Sequence, residues 1–260
     1  MRRGLGLTFL AMLTVAAGAA AFGQDQRQFY VIHQEFAKPS MQQQYEAAAK
    51  EFVAMVTKNK AAMPHFSFAA LSSDDFTYTY VARIPNYAGI DGINQDFGAL
   101  AQKEGQAFAD LTKRSGAAME SVRESVVSLS PELSYVPAMP RLKPEEARYF
   151  HYDLYHVMPG RELEAEAIAK EFLTLFKSKN IPNGYRLFKA EMGPEMPTII
   201  IEVGAKDPAD SYTQSASDRT ALGEAGKALF AKAFAITRRF ETRSGWLRPD
   251  LSVLPPAPPK

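Results

Sequence analysis

Two stretches of this chain recur in the same order and at nearly the same spacing. Ala49-Lys-Glu-Phe52 returns as Ala169-Lys-Glu-Phe172, an offset of 120 residues. Leu129-Ser-Pro-Glu-Leu-Ser-Tyr-Val-Pro137 returns as Leu247-Arg-Pro-Asp-Leu-Ser-Val-Leu-Pro255, an offset of 118. Anchors kept in order at one spacing mean one unit written twice and fused. The fold must therefore be assembled from two like halves, each of roughly 110 residues and long enough to bury a core.

The ends and the composition narrow the setting. Arg2 and Arg3 precede an apolar run from Leu5 to Ala21, then small residues, then polar Gln24, Asp25 and Gln26. That layout predicts a secretory signal peptide over residues 1–23, and hence a periplasmic or secreted protein. The 260 residues contain no cysteine, which excludes disulfides, thiolate metal sites and cysteine nucleophiles. Lys and Arg total 30 against 29 Asp and Glu, so nothing points to nucleic acid or an anionic membrane as a partner. No second apolar run reaches membrane length, so no membrane span is expected after signal cleavage. Residues 256–260 continue a proline-rich tail that forms neither helix nor sheet interior.

Each half reads strand, helix, strand, strand, helix, strand. Phe29–Phe36 and Tyr149–Val157 are rich in aromatic and β-branched residues and open the halves as strands. Met41, Tyr45, Ala48, Phe52 and Met55 fall at helical spacing, as do Leu163, Ile168, Phe172 and Leu175 in the copy. Hairpins follow at Ser72–Asp75 and through Gly193-Pro194. A second helical stretch carries Phe108, Leu111, Met119, Val122 and Val126, with a break expected near Gly105. Its copy runs through Leu222, Leu229, Ile236 and Phe240. Each half closes on the Leu-x-Pro-x-Leu-Ser segment, expected as an edge strand because proline cannot donate to a ladder. The predicted domains are residues 24–137 and 148–255, joined by a linker over 138–147 with Pro140 and Pro144.

A β-α-β-β-α-β unit with amphipathic helices gives an α+β ferredoxin-like sandwich. Two such repeats can pack sheet to sheet. In strand order, tandem layout and closing segment, Phe29–Pro137 and Tyr149–Pro255 resemble the dimeric α/β-barrel superfamily in its fused form. That superfamily includes antibiotic-biosynthesis-type monooxygenases, haem-degrading monooxygenases, chlorite dismutases and NIPSNAP-type proteins. The resemblance implies a pseudo-dimeric barrel and leaves the activity open, because one fold hosts many chemistries. Several haem-binding members hold iron through a helix-borne histidine, and no histidine here lies in a predicted helix. The quinone-forming oxygenases use no metal and hold aromatic substrates with polar and aromatic side chains. The cofactor is thus unknown from the sequence.

Residues alternate faces along a strand. Tyr30, Ile32 and Phe36, and in the copy Phe150, Tyr152 and Leu154, form an apolar face expected to meet the helices. His33 and Glu35, with His151, Asp153 and Tyr155, are then expected to look into the space between the sheets. Imidazoles and carboxylates meeting there suit proton transfer, and His151 with Asp153 suits a divalent ion. The competing reading is that these groups pair with one another or with trapped water. His65 and His156 read as paired boundary histidines, and Arg238, Arg239, Arg243 and Arg248 as a solvated helix face. The leading expectation is a binding or structural protein of the envelope that holds a small apolar or aromatic ligand. The alternatives are an oxygenase-like or isomerase-like enzyme using His33, Glu35, His151, Asp153 and Tyr155, and an interaction module with an exposed sheet edge. A fused pair needs no second chain to complete its barrel, which favours a monomer.

Overall fold

The computed structural model describes residues 27–193 and 195–254. The expected signal peptide (1–23), Pro194 and the tail (256–260) lie outside the described residues. The first half comprises β1 (Gln28–Ala37), α1 (Gln42–Lys58), β2 (Ala69–Ser72), β3 (Thr77–Ile84), α2 (Gly89–Glu104), α3 (Gln106–Ala118) and β4 (Met119–Leu129). The second comprises β5 (Tyr149–Val157), α4 (Glu162–Ser178), β6 (Arg186–Met192), β7 (Thr198–Ala205), α5 (Pro208–Ala235) and β8 (Thr237–Leu247).

Local sequence explains most of these boundaries. α1 buries Tyr45, Ala48, Met55 and Val56 along one stripe. Pro208 occupies the first turn of α5, and the Asp207 carboxylate accepts the Asp210 N–H at 2.8 Å as an N-cap. Gly105 separates α2 from α3 at φ 55°, a conformation strained for any residue with a Cβ. Gly223 kinks α5 at φ 57° in the corresponding place.

Two expectations fail at the ends of the halves. The helical stretch was expected to run past Val122 and Val126 in one half and Phe240 in the other. Instead, β4 begins at Met119 and β8 at Thr237. Apolar residues three and four apart fit a helix stripe, but pairing along the whole of β1, from Gln28↔Leu129 to Ala37↔Met119, prevails. Arg238, Arg239 and Arg243 therefore lie on a strand, not on a helix face.

The eight strands close into one antiparallel barrel, ordered β1-β3-β2-β8-β5-β7-β6-β4. Each half supplies four adjacent strands in the ferredoxin-like arrangement, and β1 and β5 stand opposite each other in the ring. The halves meet at two seams. One pairs β2 with β8 at Leu71↔Leu247 and Ser72↔Trp246. The other pairs β4 with β6 from Val126↔Met192 to Leu129↔Phe188.

The repeated closing segments are not edge strands. Each is a short 3-10 turn, Pro131–Leu133 or Pro249–Leu251, and each crosses to the opposite half. Leu133 and Tyr135 enter the core of the second half, against Ile181, Tyr185 and Leu187. Leu251 enters the core of the first half, against Tyr45, Ala70 and Tyr78. The polar anchors match as well. The Ser134 hydroxyl accepts the Leu187 N–H at 2.9 Å and donates to the Ser130 carbonyl at 2.8 Å. The Ser252 hydroxyl accepts the Ala70 N–H at 2.9 Å and donates to the Arg248 carbonyl at 2.7 Å. Tyr135 bridges Tyr185, and Val253 bridges Phe68. Proline here ends β-pairing and turns the chain across the seam.

The second arm carries an ionic clamp. Arg248 donates to both Glu46 oxygens, at 2.8 and 2.9 Å, and to both Asp250 oxygens at 2.9 Å. Tyr78 adds a hydroxyl to Glu46 at 2.7 Å. Hydrogen bonding to Arg248 pulls the Glu46 carboxyl below its ordinary range and Asp250 down to about 2.

Two predictions follow from the exchanged arms. Leu133→Ala and Leu251→Ala should each lose roughly 2–5 kcal/mol in urea unfolding, since each empties a site in the opposite half. The depressed carboxylates stabilise the fold fully above their unfolded values near 4, and that contribution disappears as the pH falls toward about 2. The urea midpoint should therefore drop across that window, and Arg248→Met should flatten the drop.

Candidate functional site

A closed barrel has an inner wall and an outer wall, and both are covered. On β1 the inward side chains are Tyr30, Ile32 and Gln34; on β5 they include Tyr152 and Leu154. Ile200 beside Leu154 on β7, and Phe188 beside Ile200 on β6, continue this inner face. The face expected to meet the helices thus lines the interior.

His33, Glu35, His151, Asp153 and Tyr155 point outward, under the helices. Tyr45 of α1 donates its hydroxyl to Glu35, and Tyr155 packs on Phe234 of α5 with ring centroids 6.0 Å apart. The expected convergence between the sheets does not occur. Alternation identifies two faces but cannot rank them when each is buried. His33 and Glu35 form one cluster on β1, while His151, Asp153 and Tyr155 belong to β5 on the opposite side of the ring.

Each cluster is internally paired. His33 lies 2.8 Å from Glu124 and 3.2 Å from Glu35. Burial works against its charge, but the two carboxylates outweigh burial and raise its pKa. Behind Glu35, the Tyr45 and Tyr80 hydroxyls meet at 2.7 Å. His151 lies 3.1 Å from Asp153 and 2.9 Å from the Ser244 hydroxyl. His65 pairs with Asp96 at 3.1 Å. His156 shares the inward parity of Tyr152 and lies buried, 2.8 Å from the Thr198 hydroxyl and 3.3 Å from Glu241. Among the described residues, no three His, Asp or Glu side chains are grouped to hold a metal ion.

The interior contains a cavity of about 180 Å³. Its wall is mainly apolar: Ile32, Val81, Val127, Leu154, Phe188 and Ile200. Tyr30 and Phe188 meet edge to face at 5.7 Å and pack with Val127. One polar row crosses this wall. Tyr152 and Arg186 both stand opposite Glu202 in the strand register, so the three share the inner face of β5, β7 and β6. Arg186 Nε donates to Glu202 at 2.6 Å, and its guanidinium lies 5.5 Å from the Phe188 ring centre. Burial opposes the Arg186 charge, yet Glu202 overcomes it and the pKa stands above the ordinary value. Burial, reinforced by Glu202, pushes the Tyr152 phenol well up, so it remains a neutral donor. The mouth lies at the β2–β8 seam, where pairing stops after Ser72. There Arg243 donates to Gln34 at 3.1 Å and to Glu241 at 2.9 Å.

Sequence reasoning missed Tyr152, Arg186, Glu202 and Arg243 as interior groups. A signal existed for one of them. Glu202 follows the apolar run of Ile199, Ile200 and Ile201, and a charge in such a strand needs a buried partner. Its partner Arg186 lies across the hairpin.

Comparison with known proteins supports the fold. An anthrone oxidase-like protein superposes with a TM-score of 0.57 at 13% identity, over 89% of this chain and 92% of that one. A monooxygenase-like protein of Lactobacillus acidophilus gives 0.50 at 6% identity, over 88% and 97%. Another from Fusobacterium nucleatum gives 0.50 at 13%, over 88% and 94%. No protein-family model and no curated protein matches the chain. The chain has the dimeric α/β-barrel fold in its two-repeat form, with both repeats in one polypeptide.

The polar row makes a direct prediction. Glu202→Gln leaves Arg186 buried without its counter-charge and should cost roughly 3–5 kcal/mol in chemical unfolding. The double variant Arg186→Met/Glu202→Leu should recover most of that loss, and failure to recover would show that the pair is not isolated in the barrel wall.

Proposed function

We propose that the barrel interior binds a small aromatic ligand carrying a polar substituent, and that the protein acts by holding it. The carrying observation is the mainly apolar cavity of about 180 Å³, open at the β2–β8 seam, with the Tyr152–Glu202–Arg186 row on its wall. An engineered apolar cavity of about 150 Å³ accepts benzene, so this space suits a single substituted ring. Phe188, Tyr30 and the branched aliphatics supply the apolar contact. The neutral Tyr152 hydroxyl and the Arg186–Glu202 pair supply hydrogen bonds that orient a hydroxyl or carbonyl.

The enzymatic alternative draws on His33, Glu35, His151, Asp153 and Tyr155. These stand on opposite outer walls, so no common substrate reaches them. The oxidase and monooxygenase names of the similar structures belong to those proteins; at 13% identity and below, the likeness extends to fold alone. The edge-pairing alternative has limited backbone to use, because the barrel pairs every strand on both sides over part of its length. A role outside the cytoplasm rests on the charged and apolar leader of residues 1–23. Among the described residues, no helix is long and apolar enough to cross a membrane.

Calorimetric titration with phenol, p-cresol and indole tests this reading. At least one should bind with a dissociation constant below about 1 mM, consistent with the efficiency of very small buried ligands. Leu154→Trp fills the cavity from one wall and should abolish the heat while the protein stays folded by circular dichroism. Binding that survives this filling would place the ligand elsewhere.

A further inference from the structure

Outside the β2–β8 seam lies a second concavity of about 280 Å³, on the outer surface of the wall. Three aromatic side chains line it: Tyr149 of β5, Trp246 of β8 and Tyr212 of α5. Two are costly to leave in water and have no core duty there. Tyr212 is 76% exposed and Trp246 38% exposed. Tyr149 and Trp246 meet edge to face at 5.2 Å, which fixes their rings as part of the groove.

The charged groups around these rings are unbalanced. Asp74 and Asp75 line the same groove from the β2–β3 turn. Among the described residues, neither carboxylate has a Lys, Arg or His within ion-pair distance. Asp75 is held by the Ser73 hydroxyl at 2.7 Å and the Thr77 N–H at 3.2 Å, bonds that keep it ionised despite partial burial. The one cation lining the groove, Arg243, is already engaged by Glu241 at 2.9 Å. The groove is therefore aromatic, concave and net acidic.

We propose that this groove binds an alkylammonium group, of the kind carried by choline or a methylated amine. Aromatic faces attract a diffuse cation within about 6 Å of their centres, and the attraction grows as water is excluded. A trimethylammonium head sheds water more readily than a metal ion or a primary ammonium, and its methyl groups pack on rings. The uncompensated carboxylates of Asp74 and Asp75 supply the long-range charge. The polar floor of Thr242 and Ser244 belongs to the wall and leaves room for the polar end of such a molecule. This groove adjoins the mouth of the interior cavity, sharing Ser73, Asp75, Arg243, Ser244 and Gly245 with it, but its three aromatic rings and Asp74 line the groove alone, so the proposal does not rest on the reading of that cavity.

The chain reports on itself, because Trp246 is its single tryptophan. Emission is followed while tetramethylammonium chloride is added to the intact protein. Sodium chloride at equal ionic strength and tert-butanol, a neutral isostere, serve as controls. A saturable change with a millimolar or tighter midpoint, seen only with the cation, is the expected result. Tyr212→Ala and Asp74→Asn lie at the exposed rim, and each should weaken the midpoint by about 3- to 10-fold without shifting the melting temperature. An equal response to tert-butanol or sodium chloride would overturn the proposal. So would no saturable response, or an unchanged midpoint in both variants.

Discussion

The structure depends on a reciprocal exchange of closing arms. Leu133 completes the core of the second half, and Leu251 completes the core of the first. In each arm a proline ends β-pairing, a serine hydroxyl caps the turn, and a leucine drops between the helices and the sheet of the other repeat. This is the arrangement of an exchanged dimer written in one chain. It couples the halves more tightly than the seams alone, since the β2–β8 seam pairs only Leu71 and Ser72 with their partners.

The β2–β8 seam pairs only two residues against four at the β4–β6 seam, and the wall opens there. The interior cavity reaches the surface at this opening, and the aromatic groove flanks it. On the inner wall, Tyr152, Glu202 and Arg186 form a charged row beside apolar side chains, with further polar groups such as Gln34, Thr79 and Arg243 also lining the cavity. Paired charges of this kind cost more to desolvate than an apolar core would, so their presence is not explained by stability.

The duplication was the most legible feature. It predicted two ferredoxin-like repeats and the shared barrel; the break at Gly105 followed from glycine's low helix propensity, and Gly223 repeats it. The opening strands, first helices and hairpins also followed from alternation, helical spacing and turn residues. The misreadings have physical causes. β4 and β8 have apolar spacing compatible with a helix, and only pairing with β1 and β5 decides against it. The faces of β1 and β5 were exchanged because closure buries both, so an apolar face no longer identifies the helix side. His33 and Glu35 are tolerated under a helix because Tyr45 and Glu124 satisfy them, which no strand pattern reveals. The repeated Leu-x-Pro-x-Leu-Ser segment was recognised, but its crossing to the other half is a long-range fact invisible in local sequence.

The most direct test of the exchange is to produce residues 24–137 and 148–255 as separate chains and follow near-ultraviolet circular dichroism alone and on mixing. Each half lacks the arm that completes its core, so neither should unfold cooperatively as a monomer. An equimolar mixture should yield a one-to-one complex with the spectrum and urea midpoint slope of the intact chain. A half that folds alone as a stable monomer, with its aromatic spectrum intact, would contradict the account.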